Sequence, residues 1–403
     1  MAFVARAAGT PSPSAFPLQQ GTAATATLLA SRRVSRHIPQ LLHPCCRCSV
    51  ATPSASLRGD HAASAMDVVK SSSPLGFPYQ TLDPFLFCVY HKDDYPAGNE
   101  KMEAPRRGNG ADFDWSKPYR MYHGEKVPGF PQHPHRGFET LTATTEGFVD
   151  HTDSMGNAGR YGIGDLQWMT AGQGIVHGEM FPLIQKTTPN PLKLFQIWLN
   201  LPAKSKMTEP AFVMHWNEDI PRVCLDEGKV KVTVWAGELQ GKKGLKPPRN
   251  SWAAQQGSDV AVWLLEMAPG GKMTLPAAAG GATINRTLYF TEGEDLSVSG
   301  KTIKPKHMAV LRAEKEAELH NASASKSANV LMLQGKPIGE PVAQHGPFVM
   351  NSQDEIQQAF QDYSATRFGG WPWSDNAPVF PPDKGRFALV GGKEERPPTS
   401  GSD

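Results

Sequence analysis

Two short stretches decide the fold of this chain: residues 132–139, which read QHPHRGFE, and residues 172–179, which read GQGIVHGE. In each stretch a single residue separates two potential metal ligands, His133 from His135 and His177 from Glu179. On a β-strand, side chains two residues apart point to the same face. Two such strands side by side would bring three imidazoles and one carboxylate to one point. That is a ligand set for a first-row divalent metal ion.

The setting of these pairs favours a compact β-barrel. Glycines punctuate short apolar runs around both motifs, as turns between strands do. The relevant glycines are Gly129, Gly137, Gly164, Gly172, Gly174 and Gly178. The alternative is a polar cluster at the mouth of a barrel that holds no metal.

Composition points to an all-β protein in several domains. The chain has 403 residues, with 38 glycines and 35 prolines, which suits many short strands joined by turns. Short alternating or apolar runs predict strands in two successive groups, and therefore two tandem barrels. The predicted strands are residues 81–90, 194–201, 229–236, 260–267, 287–290, 308–311 and 330–333. No apolar run is long enough to cross a bilayer.

The remaining segments set the predicted boundaries. Residues 66–78 read as a linker and residues 91–128 as a long surface loop. Ser352 and Glu355 form a capping box, with Ile356, Phe360 and Tyr363 at helical spacing. That helix should stop near Gly369 and Gly370, and an irregular tail that wraps the first barrel should follow. The predicted domains are residues 79–219, residues 229–350, and a helix with tail over residues 351–403.

The first 65 residues form a leader of distinct composition. Residues 1–59 contain six arginines and no acidic residue, whereas the remainder has 35 basic and 39 acidic residues. An Arg- and Ser-rich, acid-poor leader is typical of an organelle transit peptide, here of the chloroplast type. A mitochondrial leader and a merely disordered tail are the alternatives; without import, the location would be nucleus or cytoplasm. The mildly acidic body offers no charge-driven attraction to nucleic acid.

Cysteine usage indicates a reducing compartment. Cys45, Cys46 and Cys48 lie in the leader and have no second pair at zinc-finger spacing. Cys88 and Cys224 are far apart in sequence. We therefore predict no disulfide framework.

Several motifs together resemble the pirin family. Residues 133–140 (HPHRGFET), 164–172 (GDLQWMTAG) and 177–180 (HGEM) are similar to the family's signature. Residues 339–342 (GEPV) and 344–351 (QHGPFVMN) resemble the segment that closes its second domain. The similarity runs over roughly residues 79 to 370.

This resemblance implies a fold and a metal site. Pirins are cupins, so we expect a bicupin of two antiparallel jelly-roll barrels, with non-haem iron in the N-terminal barrel only. The family's ligands correspond to His133, His135, His177 and Glu179, all of which match. Fe(II) is the expected ion, with Mn, Ni, Cu and Zn as alternatives because supply and geometry decide loading.

The resemblance also implies two kinds of function. Some pirins are associated with quercetin 2,3-dioxygenase activity, so we expect an enzyme that takes a phenolic small molecule and O2. The two barrels can pack against each other within one chain, so a monomer is expected. Glu179 would be the catalytic carboxylate, and Glu139, on the same face if strand alternation continues from His135, would be a second acid. Other pirins are nuclear cofactors of transcription regulators, so a metal-dependent regulatory protein with a protein partner is the alternative. A storage or structural bicupin would bind no stoichiometric metal.

Neighbouring residues have less specific expectations. Gln132 stands where the family resemblance leads us to expect an acidic residue, which would alter the redox poise of the site. Arg136 should point away from the pocket and pair with a surface acid. Phe138, Trp168 and Met169 either line a pocket or belong to the core. In the second barrel, His307, His320 and His345 are too scattered to form a second metal site.

Overall fold

The structure is a computed structural model that describes residues 68–105 and 113–399. Strands lie where the sequence shows alternating or apolar runs. The strands predicted at residues 229–236 and 260–267 are observed as Val230–Ala236 and Ala261–Met267. The strand predicted at residues 194–201 starts earlier and spans Asn190–Asn200. The expected all-β architecture of two tandem barrels is confirmed.

The regular elements in the first part of the described chain are almost all strands. In chain order these are β1 (Val69–Pro74), β2 (Phe85–Tyr95), β3 (Gly129–His135), β4 (Phe138–Glu146), β5 (Phe148–Asp153), β6 (Ala158–Gly162), β7 (Leu166–Thr170), β8 (Ile175–Met180), β9 (Asn190–Asn200) and β10 (Ala211–His215). A single helical turn, α1 (Ala203–Lys206), lies between β9 and β10.

The second part adds strands β11 to β26 and the longer helix. The strands are β11 (Arg222–Leu225), β12 (Val230–Ala236), β13 (Glu238–Leu239), β14 (Lys242–Lys243), β15 (Ala261–Met267), β16 (Lys272–Leu275), β17 (Asn285–Glu292), β18 (Leu296–Val298), β19 (Lys301–Ile303), β20 (His307–Arg312), β21 (Ala317–Asn321), β22 (Ala328–Gly335), β23 (Ala343–His345), β24 (Phe348–Met350), β25 (Phe387–Val390) and β26 (Lys393–Glu395). The helix is α2 (Gln353–Thr366), and short 3-10 turns occupy Asp226–Gly228, Trp252–Ala254, Gly281–Thr283, Arg367–Gly369 and Pro382–Lys384.

These strands form two antiparallel β-sandwiches. In the first, a five-stranded sheet ordered β10-β7-β4-β9-β2 faces a six-stranded sheet ordered β26-β25-β6-β5-β8-β3. In the second, a seven-stranded sheet ordered β1-β20-β17-β22-β15-β12-β11 faces a four-stranded sheet ordered β16-β21-β18-β19. Strands β13 and β14 pair with each other, as do β23 and β24.

Side-chain alternation allows the two sandwiches to share a core between them. On β4, Leu141 and Ala143 point outward, and on β22, Leu331 and Leu333 do the same. All four are buried in one apolar cluster that joins the five-stranded sheet to the seven-stranded sheet. Burial of such apolar area is the main stabilising contribution at this interface.

Helix α2 matches its sequence signature. The Ser352 hydroxyl accepts a hydrogen bond from the Glu355 backbone N–H, and the Glu355 carboxylate accepts one from the Ser352 N–H, which completes the capping box. Ile356 and Ala359 are buried against Phe348 and Met350. The helix ends at Thr366, and Arg367 caps it in a left-handed conformation (φ 51°), just before the predicted stop at Gly369.

Both ends of the described chain differ from the predictions. Residues 69–74, inside the predicted linker, form β1 and pair with β20 of the second sandwich. The tail predicted to be irregular includes β25, which pairs with β6 of the first sandwich. Each sandwich is therefore extended by a strand from the distant end of the chain. The polar composition of β1 hid it, because an edge strand needs little apolar character. Strand β25 is apolar but only four residues long, and it follows a proline-rich stretch.

The segment predicted as a surface loop, residues 91–128, is also more ordered than expected where the structure describes it. Strand β2 continues to Tyr95, and Tyr119, Met121 and Tyr122 are buried. The predicted leader and its three cysteines lie outside the described residues. Within the described residues, no helix is long and apolar enough to span a bilayer. Cys88 is buried and Cys224 exposed, without a disulfide between them.

Candidate metal centre

Three histidines converge inside the first sandwich. His133 on β3 and His177 on β8 are direct cross-strand partners, and His135 follows two residues later on the same face. The ring centroids of the three pairs are 4.5 to 4.9 Å apart. One ligand atom from each histidine lies within 4.8 Å of the others. The predicted convergence of these imidazoles is thus present.

The hydrogen bonds of two of these imidazoles leave one ring nitrogen available. His133 Nδ1 lies 2.9 Å from the Pro131 carbonyl oxygen, and His135 Nδ1 lies 3.3 Å from that of Pro347. A carbonyl only accepts, so Nδ1 must carry the proton in each ring. The lone pair is then on Nε2, the arrangement found in metal-ligating histidines.

His177 gives the clearest indication of a missing partner. Its side chain is fully buried, and neither Nδ1 nor Nε2 has a hydrogen-bond partner within residues 68–105 and 113–399. Buried polar atoms are nearly always paired, because an unpaired one loses its hydration without compensation. A metal ion bound by the three rings would take one of the two unpaired His177 nitrogens, so the residues present fit such an ion.

Burial keeps these imidazoles in the neutral form that a metal requires. Desolvation lowers the pKa of His133 to about 4. It holds the pKa values of His135 and His177 well below the ordinary value, and the neighbouring rings lower them further. Protons would therefore not compete with the metal for these ring nitrogens at neutral pH.

Glu179 lies beside the histidines, two residues beyond His177 on β8. Its carboxylate accepts hydrogen bonds from Thr142 (2.9 Å), Tyr161 (3.3 Å) and Gln196 (2.7 Å). Burial raises its pKa, although these hydrogen bonds oppose the shift. The group of donor atoms within 4.8 Å of one another contains only the three imidazoles. Glu179 as a fourth ligand therefore stays a prediction.

Glu139 lies elsewhere, contrary to the expected alternation. Gly137, with φ of 86°, breaks the strand, so that β3 and β4 belong to different sheets. Phe138 then faces the histidines, and Glu139 faces the second sandwich. There its carboxylate accepts hydrogen bonds from Thr170 and Ser251. The expectation that Glu139 shares a face with the histidines is wrong.

Arg136 points away from the pocket, as predicted. Its guanidinium donates to Asp362 on α2 at 2.7 Å and to the Gln173 carbonyl at 2.6 Å. It also lies 4.5 Å from the centroid of the Phe368 ring. Arg136 thus ties the end of β3 to the C-terminal helix.

An aromatic wall stands beside His135, and the sequence reasoning identified only part of it. The centroid of the Trp198 ring lies 4.3 Å from that of Phe138, 4.7 Å from that of Phe87 and 5.4 Å from that of His135. Trp198 is partly exposed, and its buried Nε1 has no hydrogen-bond partner in the described part of the chain. Trp168, for which the sequence left a pocket or a core position open, lies in the core between the sandwiches. The alternation of side chains along the predicted strand at residues 194–201 could have identified Trp198 as a residue on one face of the sheet.

A further buried histidine, which sequence reasoning missed, flanks the cluster. His151 on β5 is the cross-strand partner of Glu179, and its ring centroid lies 5.4 Å from that of His177. It stacks on Phe212 and contacts Gln167 through Nδ1 at 3.2 Å. The interior of the first sandwich is therefore polar around the cluster.

The second sandwich has a different interior. Its core consists of apolar side chains, among them Val232, Leu265 and Met332. Among the described residues, the only grouping of three or more potential metal ligands is the histidine cluster of the first sandwich. A metal site is therefore indicated for one sandwich.

Comparison with known proteins agrees with this geometry. The Pirin family model matches residues 69–199, and the pirin C-terminal cupin domain matches residues 262–369. A pirin-like protein from Solanum lycopersicum is 38% identical over 244 residues, covering 60% of this chain and 77% of the relative. Human pirin is 36% identical over 254 residues, covering 62% and 80%.

Among solved structures, a quercetin 2,3-dioxygenase from Acinetobacter baumannii superposes with a TM-score of 0.59 at 27% identity. The match covers 75% of this chain and 98% of that one. A Pseudomonas aeruginosa protein whose name carries a provisional quercetin 2,3-dioxygenase assignment is 39% identical over 240 residues, covering 59% and 79%. Together with the three-histidine cluster, these similarities indicate a metal cofactor and a small-molecule substrate.

Proposed function

This chain belongs to the pirin family, and from that premise we propose that it is an iron-dependent dioxygenase that cleaves flavonols such as quercetin. His133, His135 and His177 would hold the iron, with Glu179 as the fourth ligand. The observation that carries the proposal is the buried His177 ring, whose two nitrogens have no hydrogen-bond partner among the residues that the structure describes. Relatives named as quercetin 2,3-dioxygenases supply the substrate class.

The iron would supply Lewis-acid activation of the flavonol and a binding position for O2. Trp198 and Phe87 are partly exposed and offer rings against which a flat aromatic substrate can pack, and the buried Phe138 ring contacts that of Trp198. Glu179 would accept the proton from the substrate's 3-hydroxyl group. Gln196 and Thr142 hold that carboxylate in place through their hydrogen bonds.

The overall reaction balances without a further reductant. Both atoms of O2 enter the products: the central ring opens to an ester, and one ring carbon leaves as carbon monoxide. The four electrons that reduce O2 come from the flavonol itself. The chain's own tasks are therefore to bind, orient and deprotonate the substrate.

The test is turnover by the iron-loaded full chain. Loss of quercetin absorbance and release of carbon monoxide would be followed under air, for the wild type and for His177→Ala. His320→Ala, a histidine on the second sandwich, is the matched control. We expect turnover in the wild type and the control, and loss of both iron and turnover in His177→Ala. A wild type that holds iron but releases no carbon monoxide would overturn the proposal.

A regulatory role is the second candidate, and one set of contacts favours it. His135 and Arg136 contact Pro347 and Asp362, both of which belong to the C-terminal half of the chain. A change at the metal centre would thus act directly on the surface around α2. Slower amide exchange in α2 on metal binding, with the full-length fusion protein found in the nucleus, would support this role. Import into a plastid would oppose it.

A further inference from the structure

The C-terminal tail crosses the sheet that carries the histidines. The Trp373 indole N–H donates to the Asp153 carbonyl on β5 at 2.8 Å. Farther along, the Phe380 N–H donates to the Asp150 carboxylate, and β25 then pairs with β6. These residues lie beyond residue 369, where the matched family models end. The tail is nevertheless part of the first sandwich.

Strand β3 contains a β-bulge immediately before its first histidine. Phe130 pairs with Glu179 and His133 pairs with His177, so β3 has one more residue than β8 between these two pairs. Because side chains alternate, an extra residue decides which face His133 occupies. Were the register to slip by one residue, His133 would point out of the sandwich. The bulge therefore sets the position of a candidate metal ligand.

One tail residue holds this bulge from outside. The Gln132 backbone N–H donates to the Asn376 carbonyl oxygen at 2.8 Å. The Gln132 side-chain amide donates to Asn376 Oδ1 at 2.6 Å. Neighbouring Pro131 has no N–H to contribute to the ladder. The two bonds to Asn376 thus fix the bulged residue in both its main chain and its side chain.

We propose that Asn376 is a positioning residue of the metal centre, which pins the bulge at Gln132 and so directs His133 toward His135 and His177. This inference rests on the proposed metal role of His133. It also gives a reason for the neutral residue at position 132: an amide can donate to Asn376, which a carboxylate cannot do.

The experiment is a Co²⁺ titration of the full chain under anaerobic conditions, followed by the visible absorption bands of the bound ion. We expect Asn376→Ala and Gln132→Ala each to weaken Co²⁺ binding by roughly three- to fivefold, since each loses the same exposed side-chain hydrogen bond. Their combination should weaken it no further, because both changes remove the same bond. Asn376→Asp, which keeps the acceptor oxygen, should bind like the wild type. The matched control is Asn329→Ala on the second sandwich.

Amide hydrogen exchange of the metal-free variants tests the same inference without metal. We expect faster exchange over residues 129–135 in Asn376→Ala and Gln132→Ala, and wild-type exchange elsewhere. Unchanged Co²⁺ affinity in both variants, or faster exchange spread evenly over the whole sandwich, would overturn the inference. Failure of the wild type to bind Co²⁺ would instead count against the proposed metal function, and exchange would still decide the role of Asn376.

Discussion

Glu139 and Ser251 are 112 residues apart in sequence, yet the Ser251 hydroxyl donates to the Glu139 carboxylate at 2.5 Å between the two sandwiches. Glu139 is completely buried, and desolvation raises its pKa to about 7, against the hydrogen bonds from Ser251 and Thr170. An unfolded chain would have the ordinary value, near 4.5. Folding and protonation of this carboxyl are therefore linked.

The sign of this linkage gives the first prediction. Between pH 4.5 and 7 the unfolded chain releases this proton while the folded chain keeps it, so the contribution of Glu139 to stability falls as pH rises. Relative to Glu139→Gln, which does not titrate, the wild type should lose about 1–3 kcal/mol of unfolding free energy over that range. Urea denaturation at several pH values measures the difference. Parallel pH profiles for the two proteins would contradict the expectation.

The buried ion pair between Arg160 and Asp150 gives a second prediction. Arg160 makes two bonds of 2.7 Å to Asp150 and also donates to the carbonyls of Phe380 and Pro381. Arg160→Met would leave the Asp150 charge buried and the tail carbonyls unpaired. We expect a loss of about 3–5 kcal/mol of unfolding free energy and faster proteolysis of the tail.

The control for that variant is Lys231→Met, which breaks the exposed pair between Lys231 and Glu266. Its cost should be at most about 1 kcal/mol. An equal loss of unfolding free energy in the two variants would show that the buried Arg160 pair stabilises the fold no more than the exposed pair does.

Metal retention should survive mild acid. Because the pKa of His133 is about 4 and those of His135 and His177 are also depressed by burial, protons compete poorly for the three rings. We expect half of the bound Ni²⁺ to be lost only below about pH 5, whereas a histidine peptide in solution should lose its metal near pH 6.5. Metal content after gel filtration at each pH gives the answer. Release from the protein at the same pH as from the peptide would be the contrary result.

Trp198 provides a prediction about substrate binding. If its ring packs against the flavonol, Trp198→Ala should raise KM for quercetin by roughly tenfold, which corresponds to about 1.4 kcal/mol. Trp198→Phe keeps an aromatic ring and should lie close to the wild type. Trp252→Ala, a tryptophan outside the site, is the control. An unchanged KM in Trp198→Ala would remove this residue from the binding surface.

The histidine cluster could be predicted from the sequence because its residues lie close together along each strand. The spacing of His133 and His135, together with strand alternation, determines a shared face, and the structure preserves it. The same rule failed for Glu139, because the turn at Gly137 moves the chain to the other sheet. Such a turn is a tertiary feature that alternation alone does not reveal.

The edge strands show a second limit. Residues 69–74 read VKSSSP and carry little apolar character, so nothing local marks them as a strand. They become β1 because the edge of β20, more than 230 residues later, offers unpaired backbone groups. Asn376 was beyond sequence reasoning for the same reason, since its partner Gln132 lies 244 residues earlier.

The exchange of terminal strands has a consequence for anyone who dissects this protein. β1 belongs to the second sandwich and β25 to the first, so no single cut yields two fragments that each own a complete set of strands. A recombinant N-terminal half would lack β25 and expose the unpaired edge of β6. A C-terminal half would lack β1 and expose the unpaired edge of β20. Such fragments should be prone to aggregate, and mixing the two fragments should restore solubility because each supplies the strand that the other lacks.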